Sequence, residues 1–262
     1  MPYPIPQSRE KRIPAIRFIG GASCDVDPID PPRGTLRDVT PPPAAAPDPA
    51  RRGALRRDAE RNRDRIVRAA RELFAERGLA VGFNEVAHHA GVGVGTVYRR
   101  FADKEELIHA ALREPLGELA EVAQRAGEAE RAWDGLELLL GSITELLVDN
   151  LGLRDVALGG GGWRLGRTTV ERVAEVLQHL LDRARAEGDL RDGVAGDDVV
   201  MILWLVTDLA QHSVQVRPGL YRRYLQVMLD GLRAAPGRSP LVEKPTEQQM
   251  LTICRRWAGA PL

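Results

Sequence analysis

The sequence predicts an all-α protein, in which three short helices in a helix-turn-helix arrangement precede a bundle of longer helices. Two observations support this fold class. Ala, Leu and Arg are the most frequent of the 262 residues and only 5% are aromatic, a composition that favours helix over sheet. After about residue 55, apolar residues recur every three or four positions, as on one face of a helix, and no segment shows the alternation typical of a strand.

The first 52 residues predict a disordered, proline-rich tail. Prolines recur along it and cluster between positions 41 and 49. Proline lacks a backbone donor and disfavours helix in the residue before it, so the segment should be extended. We therefore divide the chain into a tail (1–52), a helix-turn-helix domain (53–109), a helical domain (110–235) and a C-terminal extension (236–262).

Residues 66–101 show the periodicity of three short helices. Their apolar stripes consist of Ile66, Ala70, Leu73 and Phe74, then Val86, Ala87 and Ala90, and finally Val97 and Phe101. Glycines mark the ends: Gly78 after the first stripe and Gly91 after the second. Because glycine adopts a positive φ without steric cost, Gly91 suits the tight turn between the second and third helices. Such a turn between two short helices is the helix-turn-helix plan.

Longer helices are predicted beyond this point. One begins near Asp103, whose side chain can cap it, and we expect a kink at Pro115 because proline cannot donate to the preceding turn. Further helical stretches follow, each bounded by glycine or proline, at about 133–149, 153–158, 168–187, 197–215 and 219–233. After Pro236 the periodicity is lost, apart from a short apolar piece between Met250 and Trp257.

The charge distribution is uneven although the formal net charge is zero. Residues 51–113 carry 14 Lys and Arg against 9 Asp and Glu, whereas residues 114–262 carry 17 against 22. A basic module before an acidic body indicates that only the module contacts a polyanion. No apolar run is long enough for a membrane helix and no secretion signal is visible, so a cytoplasmic protein without membrane contact is expected.

Catalytic and metal-binding patterns are not found in the sequence. Cys24 and Cys254 are far apart and belong to no Cys/His cluster, so we expect no metal site and no cofactor. His88 and His89 are adjacent and point to different faces of a helix, which does not make a metal-binding pair. No nucleophile motif, phosphate-binding loop or pair of catalytic acids is present, and an enzyme is therefore not expected.

A continuous stretch of about 50 residues resembles the DNA-binding domain of TetR-family transcription regulators. It contains the elements Ala-Gly-Val at 90–92, Gly-Thr-Val-Tyr-Arg-Arg-Phe at 95–101 and Lys-Glu-Glu-Leu at 104–107. The resemblance implies an N-terminal DNA-binding domain and a helical-bundle domain for ligand binding and dimerisation. It therefore implies a homodimeric repressor that a small-molecule effector, not identified by the sequence, releases from a palindromic operator in double-stranded DNA.

The residues that the resemblance assigns to DNA contact also suit that role chemically. Small residues at the start of the third helix let its backbone approach the major groove, hydroxyls can bind phosphates, and arginines can reach base edges. Lys104 can meet a phosphate at the start of the next helix. The predicted contacts are Asn84, Val94, Gly95, Thr96, Tyr98, Arg99, Arg100 and Lys104. Gly82 and Gly93 stand where the family often has Ser or Thr, which removes hydroxyl contacts at those two sites.

Two features flanking this module leave alternatives open. Arg51, Arg52, Arg56 and Arg57 form either a flexible arm for the minor groove or a solvated charge run. Residues 197–215 and 220–232 carry wide apolar stripes, which suit either a four-helix dimer interface or the core of one chain. Polar and aromatic candidates for an effector pocket are Trp163, His179, Trp204, Thr207, Asp208 and Gln211. The alternative function is a helical interaction protein whose body binds a protein partner, with DNA binding secondary.

Overall fold

Helices form nearly all of the regular structure in the computed structural model, which describes residues 49–159 and 167–257. In this part of the chain the all-α prediction is confirmed, because the described residues contain no strand and only an isolated bridge between Leu190 and Arg233. A 3-10 turn, Gly78–Ala80, follows the first helix. The helices are α1 Pro49–Arg77, α2 Phe83–Ala90, α3 Val94–Arg100, α4 Lys104–Gly127, α5 Ala132–Asp149, α6 Leu151–Leu158, α7 Arg167–Ala186, α8 Gly196–Ser213, α9 Leu220–Leu232 and α10 Glu247–Trp257.

The first helix begins earlier than its apolar periodicity suggests. It starts at Pro49, where a proline is favourable because the first helical position needs no backbone donor. The four arginines between positions 51 and 57 therefore lie within α1, and the alternative of a flexible arm does not hold for them. The predicted tail up to residue 48 lies outside the described residues.

The helix-turn-helix consists of α2, a turn at Gly91 and α3. Gly91 has φ +63°, the left-handed conformation expected for it, and its backbone N–H bonds the carbonyl of His88 at 3.1 Å. The side chains of Phe74, Val97 and Phe101, which together we call the small core, are fully buried within the hydrophobic core, as their spacing predicts. This small core fixes which face of α3 points away from the domain.

The fourth helix joins this module to the rest of the chain. Its N-terminus is capped as expected, since the Asp103 carboxylate accepts the backbone N–H of Glu106 at 2.8 Å. The helix continues through Pro115 to Gly127, so the boundary drawn at residues 109/110 falls within α4. The kink at Pro115 stays a prediction.

The body is a bundle in which α4 packs on α5 and α7, while α8 packs on α9 and α5. Its largest buried side chains are Trp133 and Trp204, and each indole N–H has a partner. Trp133 donates to Glu137 at 2.7 Å, and Trp204 donates to the carbonyl of Leu158 at 3.2 Å. Of the helices in residues 49–159 and 167–257, none has the length and apolar character that crossing a membrane requires.

The segment after Pro236 is more ordered than its weak periodicity predicts. Arg238 donates to the carbonyls of Asp230 and Gly231 at the end of α9, at 2.7 and 3.1 Å. The α10 helix then buries Met250 and Cys254, which are four residues apart and so lie on one face. The Cys254 thiol lies within hydrogen-bonding reach of Trp204, and burial raises the pKa of this thiol.

Candidate functional site

The third helix has one buried and one exposed face. Val97 is fully buried, whereas Val94, Gly95 and Arg99 are exposed. Tyr98, the next residue along the helix from Val97, has 62% of its surface exposed. Four of the predicted DNA-contacting residues of α3 therefore share the face that the small core leaves open: Val94, Gly95, Tyr98 and Arg99.

Tyr98 is held by an aromatic neighbour although most of it is exposed. Its ring meets that of Phe83 edge to face, with centroids 4.9 Å apart and an interplanar angle of 68°. The packing restricts Tyr98 to one side of α3. Thr96 and Arg100 are half-buried, and Asn84 is exposed in the first turn of α2, on the same module.

Lys104 takes a position that the sequence did not predict. Its Nζ donates to the carbonyl of Leu79, in the turn after α1. Burial lowers the pKa of the Lys104 ammonium, and the nearby Glu85 carboxylate opposes this shift. The predicted phosphate ligand thus already has an intramolecular partner.

The Glu85 carboxylate caps the N-terminus of α2. Its Oε2 accepts the backbone N–H of Gly82 at 3.0 Å, and its Oε1 lies 2.5 Å from the Arg77 guanidinium. The Gly82 N–H and then Arg77 lower the pKa of this exposed carboxyl below its ordinary value. The glycine at position 82 has no hydroxyl, but the reciprocal half of the capping box remains.

Two arginines of α1, Arg63 and Arg65, contact residues of the helix-turn-helix module; the sequence had not indicated a role for either. The Arg63 guanidinium lies 5.6 Å from the centroid of the Phe101 ring, in a cation–π contact. Arg65 donates to the carbonyls of Ala90 and Gly91 at 2.8 and 3.3 Å. These contacts join residues 25 or more apart in sequence, so no local motif indicates them.

The turn after α1 connects the module to the body. The backbone N–H of Leu79 donates to Oδ2 of Asp155 on α6 at 2.9 Å, and its carbonyl accepts Lys104 on α4. An ion pair of 2.6 Å between Arg71 and Glu114 adds a further link between α1 and α4. Both backbone polar groups of the buried residue Leu79 are therefore bound by side chains from two other helices.

A cavity of about 90 Å³ lies in the body, among α4, α5, α6, α7 and α8. Thirteen residues line it, and all of them are Leu, Ile, Val or Ala. One residue from each helix illustrates the arrangement: Leu119, Leu140, Leu158, Val173 and Leu203. The wall offers apolar contact and no side-chain hydrogen bond.

The residues predicted to form an effector pocket are not brought together around this cavity. Trp204 is buried next to the lining residue Leu203, and the Thr207 hydroxyl is used within α8, on the carbonyl of Leu203 at 2.7 Å. Asp208 is half-buried, while His179 and Gln211 are exposed. None of these five lines the cavity, and Trp163 lies outside the described residues.

The apolar stripes of α8 and α9 divide between the core and the surface. Leu225 and Leu229 are buried within the chain, as is most of the α8 stripe. Three large apolar side chains on these helices remain substantially exposed: Leu205 at 46%, Tyr224 at 43% and Val227 at 56%. The core interpretation therefore holds for the buried residues, and the dimer interface stays a prediction.

Two family models match separate parts of the chain. The model described as "Bacterial regulatory proteins, tetR family" matches residues 66–111, and one described as "Transcriptional regulator SbtR-like, C-terminal domain" matches residues 164–234. An HTH-type transcriptional regulator of Staphylococcus aureus (strain USA300) is 40% identical over 63 residues, which are 24% of this chain and 34% of that protein. The chain thus matches about a third of the length of this curated relative.

Among solved structures, the chain is similar to the ketosteroid transcriptional regulator KstR2 of Mycobacterium tuberculosis. The identity is 23%, with 66% of this chain and 95% of that one covered and a TM-score of 0.48. For the TetR transcriptional regulator SCO0520 of Streptomyces coelicolor, the identity is 29%, the coverages are 66% and 99%, and the TM-score is 0.43. Residues 66–111 thus belong to the TetR family of bacterial regulatory proteins, and residues 164–234 are similar to the C-terminal domain of SbtR-like transcriptional regulators.

Proposed function

We propose that this protein is a cytoplasmic, homodimeric repressor that binds a palindromic operator and is released from it by a small-molecule effector. The main support is the division of α3 into a buried face, anchored by Val97, and an exposed face that carries Tyr98 and Arg99. A helix held in this way can enter the major groove with its exposed face towards the bases.

The chemistry of the exposed face fits double-stranded DNA. Gly95 lets the helix backbone approach closely, and the hydroxyls of Thr96 and Tyr98 can bond phosphate oxygens. Arg99 and Arg100, at the end of α3, have the forked donors that read the O6 and N7 atoms of guanine. The positive charge of residues 51–113 favours approach to the polyanion.

In this proposal Lys104 binds two groups, the backbone carbonyl of Leu79 and a DNA phosphate. An ammonium group has three N–H donors, and the carbonyl of Leu79 accepts one of them. Another donor can bind a phosphate while the Leu79 contact persists. Lys104 would then tie the position of the turn after α1 to the DNA backbone.

The homodimer would form through the exposed side chains of α8 and α9. Leu205, Tyr224 and Val227 are large apolar groups on two helices that pack against each other. An isologous contact between two copies would cover them and place the recognition helices about 34–36 Å apart, one turn of DNA. The same exposed face supports the second candidate, in which the body binds a different protein.

Selection from a pool of random duplex DNA with the full chain tests the proposal. We expect enrichment of palindromic sites and a dimer by light scattering. Failure to enrich any sequence, or a monomer that binds DNA without half-site symmetry, would contradict it. A dimer that enriches no DNA would instead favour the interaction protein.

Substitutions then separate base recognition from phosphate binding. Arg99→Ala should weaken discrimination at one base pair by about 1–3 kcal/mol. Lys104→Ala should weaken binding to all sequences and reduce the salt dependence by about one unit of slope per half-site. Arg113→Ala, at an exposed position of α4, is the matched control and should do neither. Equal losses for Arg99→Ala on selected and random DNA would exclude its role in base recognition.

A further inference from the structure

The cavity in the body has walls of a single chemical type. Leu139, Leu140 and Ile143 of α5 face Val173 and Leu177 of α7 across it. The lining contains no ionisable, hydroxyl, amide or aromatic side chain among the described residues. A ligand in this space therefore receives dispersion and hydrophobic contacts alone.

The buried polar side chain of α5 beside the lining does not change this. Thr144 follows the lining residue Ile143, is fully buried, and donates its hydroxyl to the carbonyl of Leu140 at 2.7 Å. Its donor is thus already used within its own helix. Burying a polar ligand group here without a partner would cost several kcal/mol on transfer scales, which disfavours a polar occupant.

The cavity reaches the surface beside α7. Val170 and Val173 are half-buried, and Ala174, which also lines the cavity, is exposed. A chain-like ligand can therefore place its apolar end among the leucines while its other end stays in water. A volume of about 90 Å³ holds a short aliphatic segment, and apolar cavities of this kind stay dry and accept apolar guests.

We propose that the effector carries an uncharged aliphatic chain, which enters this cavity from the side of α7. The assignment rests on the proposed ligand-responsive function and names the ligand class for it. It moves the effector site away from the polar residues of α8 that the sequence suggested.

Calorimetric titration of the full chain with the 1-alkanols from hexanol to decanol, without DNA, tests the assignment. Each added methylene should raise the affinity about fourfold until the accessible space is filled. The α,ω-diols of equal length are the comparison, because they would bring a second hydroxyl into the aliphatic wall. Diols should bind at least about tenfold more weakly. Equal binding of diols and alkanols, or no binding of any alkanol, would overturn the proposal.

Two variants and one control variant test whether the alkanols bind in this cavity. Ala174→Phe places a ring at the open edge of the cavity and should abolish alkanol binding, whereas Ala186→Phe, at another exposed alanine of α7, should leave it unchanged. Val173→Thr keeps the shape of the side chain but adds a hydroxyl to the wall, and should reduce the affinity severalfold. Unchanged affinity in both Ala174→Phe and Val173→Thr would exclude the site.

A DNA-binding measurement distinguishes this proposal from the proposed function. Operator affinity is compared with and without saturating 1-decanol, in the wild type and in Ala174→Phe. Loss of operator affinity in the wild type alone supports both proposals. Alkanol binding at the cavity without any effect on operator affinity supports the cavity assignment but contradicts release by an effector.

Discussion

The helix-turn-helix module and the helical body place their functional side chains by different means. In the module, Val97 and Phe101 are buried while Tyr98 and Arg99 between them are exposed, all within five consecutive positions of the chain. In the body, the walls of the cavity come from five helices. A short sequence can therefore specify the exposed face of α3, whereas the cavity exists only once distant segments have packed.

The largest expected effect concerns the α9 stripe in the body. Leu225→Glu should lower the free energy of unfolding by at least about 3 kcal/mol, because it places a carboxylate in the core of the chain. Val227→Glu, two residues away and exposed, should dissociate the proposed dimer but change the stability of the folded monomer by no more than about 0.5 kcal/mol.

Urea denaturation measures the first effect, and light scattering measures the second. If Leu225→Glu remained as stable as the wild type and became monomeric, that residue would belong to the interface between two chains. The distinction between core and interface drawn from the exposure of Leu225 and Val227 would then be wrong.

A smaller effect is expected where the two regions meet. Asp155→Ala leaves the backbone N–H of the buried Leu79 without its acceptor, so the free energy of unfolding should fall by about 1–3 kcal/mol. Hydrogen exchange at the Leu79 amide should become faster. Asp182→Ala removes a carboxylate from an exposed ion pair with Arg185 and is the control, with an expected change below about 1 kcal/mol. Unchanged exchange at Leu79 in Asp155→Ala would show that α6 does not hold this turn in solution.

The smallest effect is confined to the module and depends on pH. The Gly82 N–H and Arg77 lower the pKa of Glu85 from its ordinary value of 4.5, so the folded state favours the charged carboxylate. The resulting stabilisation is present above the pKa of the unfolded chain and is lost as pH falls through the lower folded value. Glu85→Gln should therefore be less stable than the wild type at pH 7, and the difference should shrink on acidification. Thermal unfolding between pH 7 and pH 3 measures it, and a difference independent of pH would contradict the ionic contribution.

Much of the fold was predictable because helix limits are set locally. The stripe expected at 133–149 corresponds to α5, Ala132–Asp149, and the Gly91 turn has the positive φ that its position requires. The start of α1 and the α10 helix were less well predicted. Proline at the first position of a helix and four arginines after it resemble a tail. Among the side chains of α10 that the structure describes, only Met250 and Cys254 are buried.

The functional sites were predictable to different degrees for the same physical reason. The exposed face of α3 follows from helical periodicity once Val97 and Phe101 are assigned to the core. The partner of Lys104 could not be deduced, because Leu79 is 25 residues away and contributes only its backbone carbonyl. No sequence pattern indicated the cavity either. A sequence does not distinguish apolar residues that fill a core from apolar residues, such as Leu140 and Val173, that line a cavity.

The two backbone hydrogen bonds of Leu79 have a consequence for engineering. Consider a chimera in which a relative's recognition module, including the start of α4, replaces the module of this chain. The residue at position 104 would then come from the relative, whereas Asp155 would still come from this body. The transplanted turn would have to place a backbone N–H within hydrogen-bonding distance of the Asp155 carboxylate. Compatible donors could therefore be chosen by the length of the turn between α1 and α2, before any comparison of the DNA sequences they read.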